Sequence, residues 1–190
     1  HELVSLEPAE QGAYRVTVVK RASAVGGNTQ PSGKRAMANV VFCDDFDKAI
    51  AAFIIANGAV AAGYEVTLFF TFWGLNILRK SGPVTARKNL IEKMFGFMMP
   101  KGADRLTLSQ MNMAGMGLAM IKGIMKRKNV LSLPELIAQA QHSGVRMVAC
   151  TMSMDLMGIK REELIDGIEE GGVALFIDHL SRSSAGLFIS

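Results

Sequence analysis

The stretch Val145-Arg-Met-Val-Ala-Cys-Thr-Met-Ser-Met-Asp155 decides how the rest of this chain is read. Residues 145–149 make a short apolar run of strand length, and Cys150 stands at its C-terminal end. Thr151 or Ser153 is then free to cap a helix running on through Leu156 and Met157. A thiol at such a strand-to-helix turn lies near backbone N–H groups and the positive end of a helix dipole, both of which favour the thiolate. That is the chemistry of a nucleophilic or sulfur-carrying cysteine. A buried structural cysteine is the competing reading, because free Cys is among the most buried residue types.

Working outward, Ser132-Leu-Pro-Glu135 is a capping-box pattern with Pro in the first turn, opening a helix to about His142 that Gly144 closes. Beyond Cys150 the periodicity predicts an amphipathic helix over 159–170, a last strand over 173–177 and a final short helix from Asp178. On the other side, Ala38–Cys43 reads as a strand buried on both faces, with Asp44 or Asp45 capping a helix over 46–62. Residues 65–70 form the next strand, followed by an aromatic turn and short helix over 71–80. A helix over 84–95, a loop carrying Met98-Met99-Pro100-Lys101 and a short third strand within 102–108 come next. Residues 112–128 are helical, with Gly115, Ala119 and Gly123 as a small-residue stripe for close packing. The sum is an α/β domain over 37–190, an open, mostly parallel sheet with helices on both faces. Residues 1–36 read as an extension: an edge strand over Tyr14–Lys20, then Gly- and Pro-rich linker chemistry.

Composition narrows the function. Of 190 residues, 49% are hydrophobic and 20% charged, enough to build a real core. The net charge of +4 is scattered; its tightest cluster, Lys126-Arg127-Lys128, complements a helix C-terminus, so no nucleic-acid partner is expected. Two cysteines without a C-x-x-C spacing fit free thiols in a reducing cytoplasm, and no signal peptide is expected. Residues 49–64 and 66–78 are uncharged, but neither reaches the roughly 20 apolar residues of a membrane span.

In an open α/β sheet the ligand crevice lies at the carboxyl ends of the strands. Cys43 and Cys150 are both expected there, with a pocket built from Asp44, Asp45, Thr71, Trp73, Thr151 and Ser153. Competing chemistry is thin. His142 and His179 read as surface residues, and no His, Cys or carboxylate spacing predicts a metal site. Met147, Met152, Met154 and Met157 around Cys150 suit core filling better than copper. Trp73 with Phe69, Phe70 and Phe72 reads either as a pocket floor or as a buried aromatic patch. No Ser/His/Asp order, P-loop or G-x-G-x-x-G fingerprint is present.

Three segments, residues 44–58, 69–80 and 149–158, together with Met111-Asn-Met-Ala-Gly-Met-Gly117, resemble the DsrE/DsrF-like sulfur-relay family, specifically its DsrE2-type branch. The resemblance implies a flavodoxin-like domain, frequent homo-oligomerisation and an active-site cysteine carrying persulfide sulfur, which by position is Cys150. Cys43 falls where relatives vary, often with Ser. Rhodanese-like or TusA-like proteins are the implied donors and acceptors, no cofactor is required, and some relatives are membrane-associated. Two further hypotheses stand beside this one: a thiol-redox switch between Cys43 and Cys150, and a non-catalytic assembly or membrane-associated scaffold.

Overall fold

A computed structural model describes residues 2–8, 14–19, 35–82, 84 and 99–190. It divides at Gly33 and Lys34 into two compact units. In the first, β1 (Glu2–Pro8) pairs antiparallel with β2 (Tyr14–Val19) across an irregularity between Leu3 and Ser5. The alternation from Tyr14 therefore marks a real strand through Val19, paired with a neighbour that the sequence did not announce. The linker segment over 20–34 lies outside the described residues, as does nearly all of the helix expected over 84–95.

The second unit is built on β3 (Ala36–Val41), β4 (Glu65–Phe70), β5 (Arg146–Cys150), β6 (Glu169–Gly171) and β7 (Ala185–Ile189). Every pairing is parallel, and the spatial order is β6-β5-β4-β3-β7. The chain therefore steps outward from β3 through β4 and β5 to β6, then returns to the far side of β3. The layers are flavodoxin-like, while the strand order is not the 2-1-3-4-5 of flavodoxin itself.

Strand alternation splits the core in two. Val41, Leu68, Phe70, Met147 and Ala149 face α1 (Phe46–Ala61) and α3 (Leu133–His142) in the main cluster. Ala38, Phe69, Val148 and Cys150 face the other way and meet Phe176 of α5 (Val173–Arg182). Helices thus cover both faces, as expected of strands that read as nearly continuous apolar runs. α1 and α3 are pinned to each other by Asn57 Nδ2, which donates to the Leu136 carbonyl at 3.1 Å. At the start of α3 the Glu135 carboxylate accepts from both the backbone N–H and the hydroxyl of Ser132, each at 2.7 Å, the capping box read from sequence.

Four expectations are corrected. Residues 102–108 carry a single 3₁₀ turn at Ala103–Arg105, not a strand; the apolar Leu106 anchors the segment in the core without sheet pairing. Residues 159–170 hold a 3₁₀ turn, Arg161–Glu163, and then β6, because Glu163 is drawn into the interior by a buried cation rather than riding an exposed helix face. Residues 173–177 are the first half of α5, and the last strand is Ala185–Ile189; Val, Leu, Phe and Ile suit either state, and helical burial of Phe176 wins. Finally, α2 (Met116–Arg127) follows a kinked 3₁₀ turn at Met113–Gly115, so Gly115 precedes the helix, and nothing among the described residues packs on Gly123.

Candidate functional site

The carboxyl edge of the sheet gathers most of the residues singled out from sequence. Cys150 ends β5 and stands at the N-cap of α4 (Thr151–Met157), opposite Gly171 of β6. It is 4% exposed and packs with Phe69, Val148, Ala38 and Phe176 beneath α5. Neither Thr151 nor Ser153 caps the helix with its side chain. Instead Ser153 Oγ and Thr71 Oγ1 share a hydrogen bond of 2.8 Å, tying α4 to the end of β4. α4 has only two turns, so its dipole contributes modestly at the thiol.

Cys43 sits two residues beyond β3 and turns away from β5. Its thiol donates to the Ile189 carbonyl at the end of β7, 3.7 Å away. Burial pushes this thiol up from its ordinary range, so near neutral pH it is protonated and a poor nucleophile. β4 lies between the strands that carry the two cysteines. At about 4.8 Å per strand, the backbones are separated by roughly 10 Å. A disulfide needs Cα atoms within about 7 Å, so bridging these thiols requires the sheet edge to rearrange. The fold brings the cysteines to one edge and keeps them apart.

Asp44 belongs to a different cluster. Asn76 Nδ2 donates to its carboxylate at 2.9 Å, and Asn76 Oδ1 accepts from Arg79 at 3.3 Å. Arg79, 2% exposed, closes the chain on Glu163 at 2.8 Å. Burial raises Asp44 above the usual carboxylate range, against the opposing pull of the Asn76 amide. With Trp73, Met99, Pro100, Arg105 and Thr107, Asp44 lines a cavity of about 490 Å³ whose walls do not include Cys150. Asp45 points elsewhere and pairs with Lys48 at 2.9 Å.

The aromatic quartet does not form one floor. Phe69 and Phe70 are successive strand residues and face opposite sides of the sheet, while Trp73 is 46% exposed. Phe42 bridges the turn and β7, with ring centroids 5.3 Å from Phe72 and 6.0 Å from Phe188. Phe72 takes a positive φ of 46°, and Gly74 then lies against the Val41 carbonyl so closely that no Cβ fits. Arg79 and Glu163 were not foreseen: Arg79 falls at the end of the short helix expected over 71–80, and Glu163 within the amphipathic helix expected over 159–170. The signal for Arg79 was faint, an Arg immediately after the mostly apolar stretch Leu75-Asn-Ile-Leu78.

His142 is exposed as expected, whereas His179 is half-buried and accepts from Arg146 at 2.9 Å. Met147, Met154 and Met157 are buried in the core, and Met152 is exposed. Among the described residues no group of three or more His, Cys, Asp or Glu could hold a metal ion. No described helix is long and apolar enough to cross a membrane.

The profile of the DsrE/DsrF/DrsH-like family matches residues 33–188. YrkE of Bacillus subtilis, itself uncharacterized, is 55% identical over 150 residues, covering 79% of this chain and 94% of its own. The sulfur carrier protein DsrE2 of Allochromatium vinosum is 41% identical over 149 residues, covering 75% of this chain and 91% of its own. Among solved structures, a protein of unknown function from Methanobacterium thermoautotrophicum superposes with a TM-score of 0.49 at 12% identity, over 82% of this chain and 99% of its own.

Proposed function

The chain belongs to the DsrE/DsrF/DrsH-like family, on the DsrE2 branch, and from that premise we propose that it is a sulfur-relay protein whose carrier is Cys150. The observation that carries this reading is the 41% identity, over most of both chains, with a protein that carries sulfur. The placement of Cys150 at a strand end on the carboxyl edge supports it, since that edge is where open α/β sheets bind and react. Cys43, protonated by burial and directed at β7, is the weaker candidate.

The step balances without an oxidant. The Cys150 thiolate attacks the outer sulfur of a donor persulfide, R–S–SH. A new bond forms to Cys150 Sγ, the donor's S–S bond breaks, and its electron pair leaves on the donor thiolate. Delivery is the same exchange run toward an acceptor thiol, which takes the outer sulfur and returns Cys150 as thiolate. No metal or organic cofactor takes part. We assign the donor and acceptor roles to rhodanese-like and TusA-like proteins, and expect a homo-oligomer acting in the reducing cytoplasm, where both thiols stay free.

With Cys150 only 4% exposed, the donor sulfur reaches it when α5 and its Phe176 move aside. Such local opening is inexpensive relative to global unfolding. The test is cyanolysis: after donor treatment and removal of excess donor, cyanide should release one equivalent of thiocyanate from the wild type and none from Cys150→Ser. Equal release from both proteins would remove Cys150 from the role.

A further inference from the structure

Four of the thirteen methionines crowd into Met111–Met120, and unlike the core methionines they are not buried. Met111, Met113, Met116 and Met120 are 75%, 62%, 65% and 60% exposed, whereas Met99, Met147, Met154 and Met157 are all below 9%. The four exposed side chains line one cavity of about 610 Å³. Core filling therefore does not account for them.

The backbone is folded specifically to bring them together. Met111, Met113 and Ala114 all have positive φ, at 55°, 42° and 55°, a region that non-glycine residues avoid. The loop doubles back on the first turn of α2, where the Gly115 and Gly117 amides donate to the Asn112 carbonyl at 2.7 and 3.2 Å. Gly117 lies so close under the Met111 carbonyl that a Cβ has no room. Met111 and Met113 are thereby set beside Met116 and Met120, one helical turn apart on α2.

We propose that this cavity is a binding site for a soft monovalent cation, Cu(I), held by the thioether sulfurs of Met111, Met113, Met116 and Met120. Thioethers are soft, neutral donors that favour Cu(I) over harder divalent ions. Among the described residues, Asp47 is the one charged group lining the cavity, and it is negative; no Lys or Arg lines it, although the chain carries a net charge of +4. Asp47 is fixed in place by the Ser109 amide at 2.9 Å and hydroxyl at 2.6 Å. One carboxylate offsets a single positive charge but falls short of the several oxygens that Ca²⁺ requires. The site uses neither cysteine and stands apart from the sulfur-relay reading.

The experiment uses the full chain with Cys43→Ser and Cys150→Ser, so that no thiol competes. Under anaerobic conditions the protein is titrated against Cu(I) bicinchoninate, and loss of the complex's colour reports capture. The expected result is one equivalent bound, at equal strength near pH 7 and pH 5, because thioethers carry no proton to lose, in contrast to thiolate or imidazole ligands. Adding Met113→Leu and Met116→Leu, which conserve volume, should weaken capture at least tenfold. No capture, or capture unchanged by the leucines, overturns the proposal. If the leucines leave capture unchanged but alter sedimentation, the patch is a docking face instead. A second readout needs no loop variant for its result: with methionine ε-methyls labelled, Ag(I) should shift the four resonances of this cluster and leave those of the buried methionines in place. Shifts elsewhere, or none, also overturn it.

Discussion

Replacing Glu163 with Gln should be among the most damaging single-atom changes available in this domain. Arg79 is 2% exposed, and its strongest partner is the Glu163 carboxylate at 2.8 Å. Among the described residues its other bonds, to Asn76 Oδ1 at 3.3 Å and the Pro100 carbonyl at 3.4 Å, are long and neutral, and its Nε has no hydrogen-bond partner. Glu163→Gln keeps the shape and removes the charge, leaving a buried guanidinium with no counter-ion among the described residues. Breaking one side of a buried pair costs about 3–5 kcal/mol. For a domain of this size each kcal/mol lowers Tm by about 2–4 °C, so the melting temperature should fall by roughly 6–20 °C. Circular dichroism melts and urea titrations with unchanged slope measure it. Replacing both partners, Arg79→Met with Glu163→Met, should recover most of the loss, since an apolar pair leaves no charge stranded. A Glu163→Gln cost below about 1 kcal/mol, or no recovery in the double variant, would refute the claim that the pair is buried and mutually dependent.

Other consequences follow from the same geometry. Gly74→Ala drives a Cβ into the Val41 carbonyl and should cost about 1–3 kcal/mol as overpacking, measurable in the same urea titrations. Phe176→Ala uncovers Cys150 and should cost about 3 kcal/mol. Its alkylation by N-ethylmaleimide should quicken by about tenfold for each 1.4 kcal/mol removed from the opening of α5; an unchanged rate would mean that α5 does not gate the thiol. For Asp47, burial pushes upward, but hydrogen bonds from the Ser109 hydroxyl and amide outweigh it and hold the carboxyl below its usual range. The stabilisation is therefore present above the ordinary carboxylate pKa of about 4 and lost as pH falls through the lowered folded-state value. Asp47→Asn should accordingly lose less stability than wild type on acidification, as followed by urea midpoints at stepped pH.

Legibility tracked how far each signal was local. The strand at Glu65–Phe70 and the helix opened by Ser132 carry their own periodicity and caps, and both were read almost to the residue. Val173–Ile177 is apolar and β-branched at its ends, so nothing local separates strand from helix; packing of Phe176 onto the sheet makes it helical. The burial of Glu163 depends on Arg79, 84 residues away in sequence, and no local pattern encodes that partnership. At the site, the carboxyl-edge rule placed both cysteines correctly. What it missed was direction, because Cys43 turns to β7 according to a crossover visible only in three dimensions. Met113, Met116 and Met120 fall within the helix expected over 112–128, with Met111 just before it, since nothing in the sequence announces three positive-φ residues within four.

The central claim, that Cys150 carries the sulfur, is tested most directly by mass spectrometry of the donor-treated protein, intact and after proteolysis without reductant. The account predicts a gain of one sulfur atom in wild type and in Cys43→Ser, mapped to the peptide bearing Cys150, and no gain in Cys150→Ser. A sulfur found on Cys43, or a loss of two protons that depends on both cysteines, would contradict it.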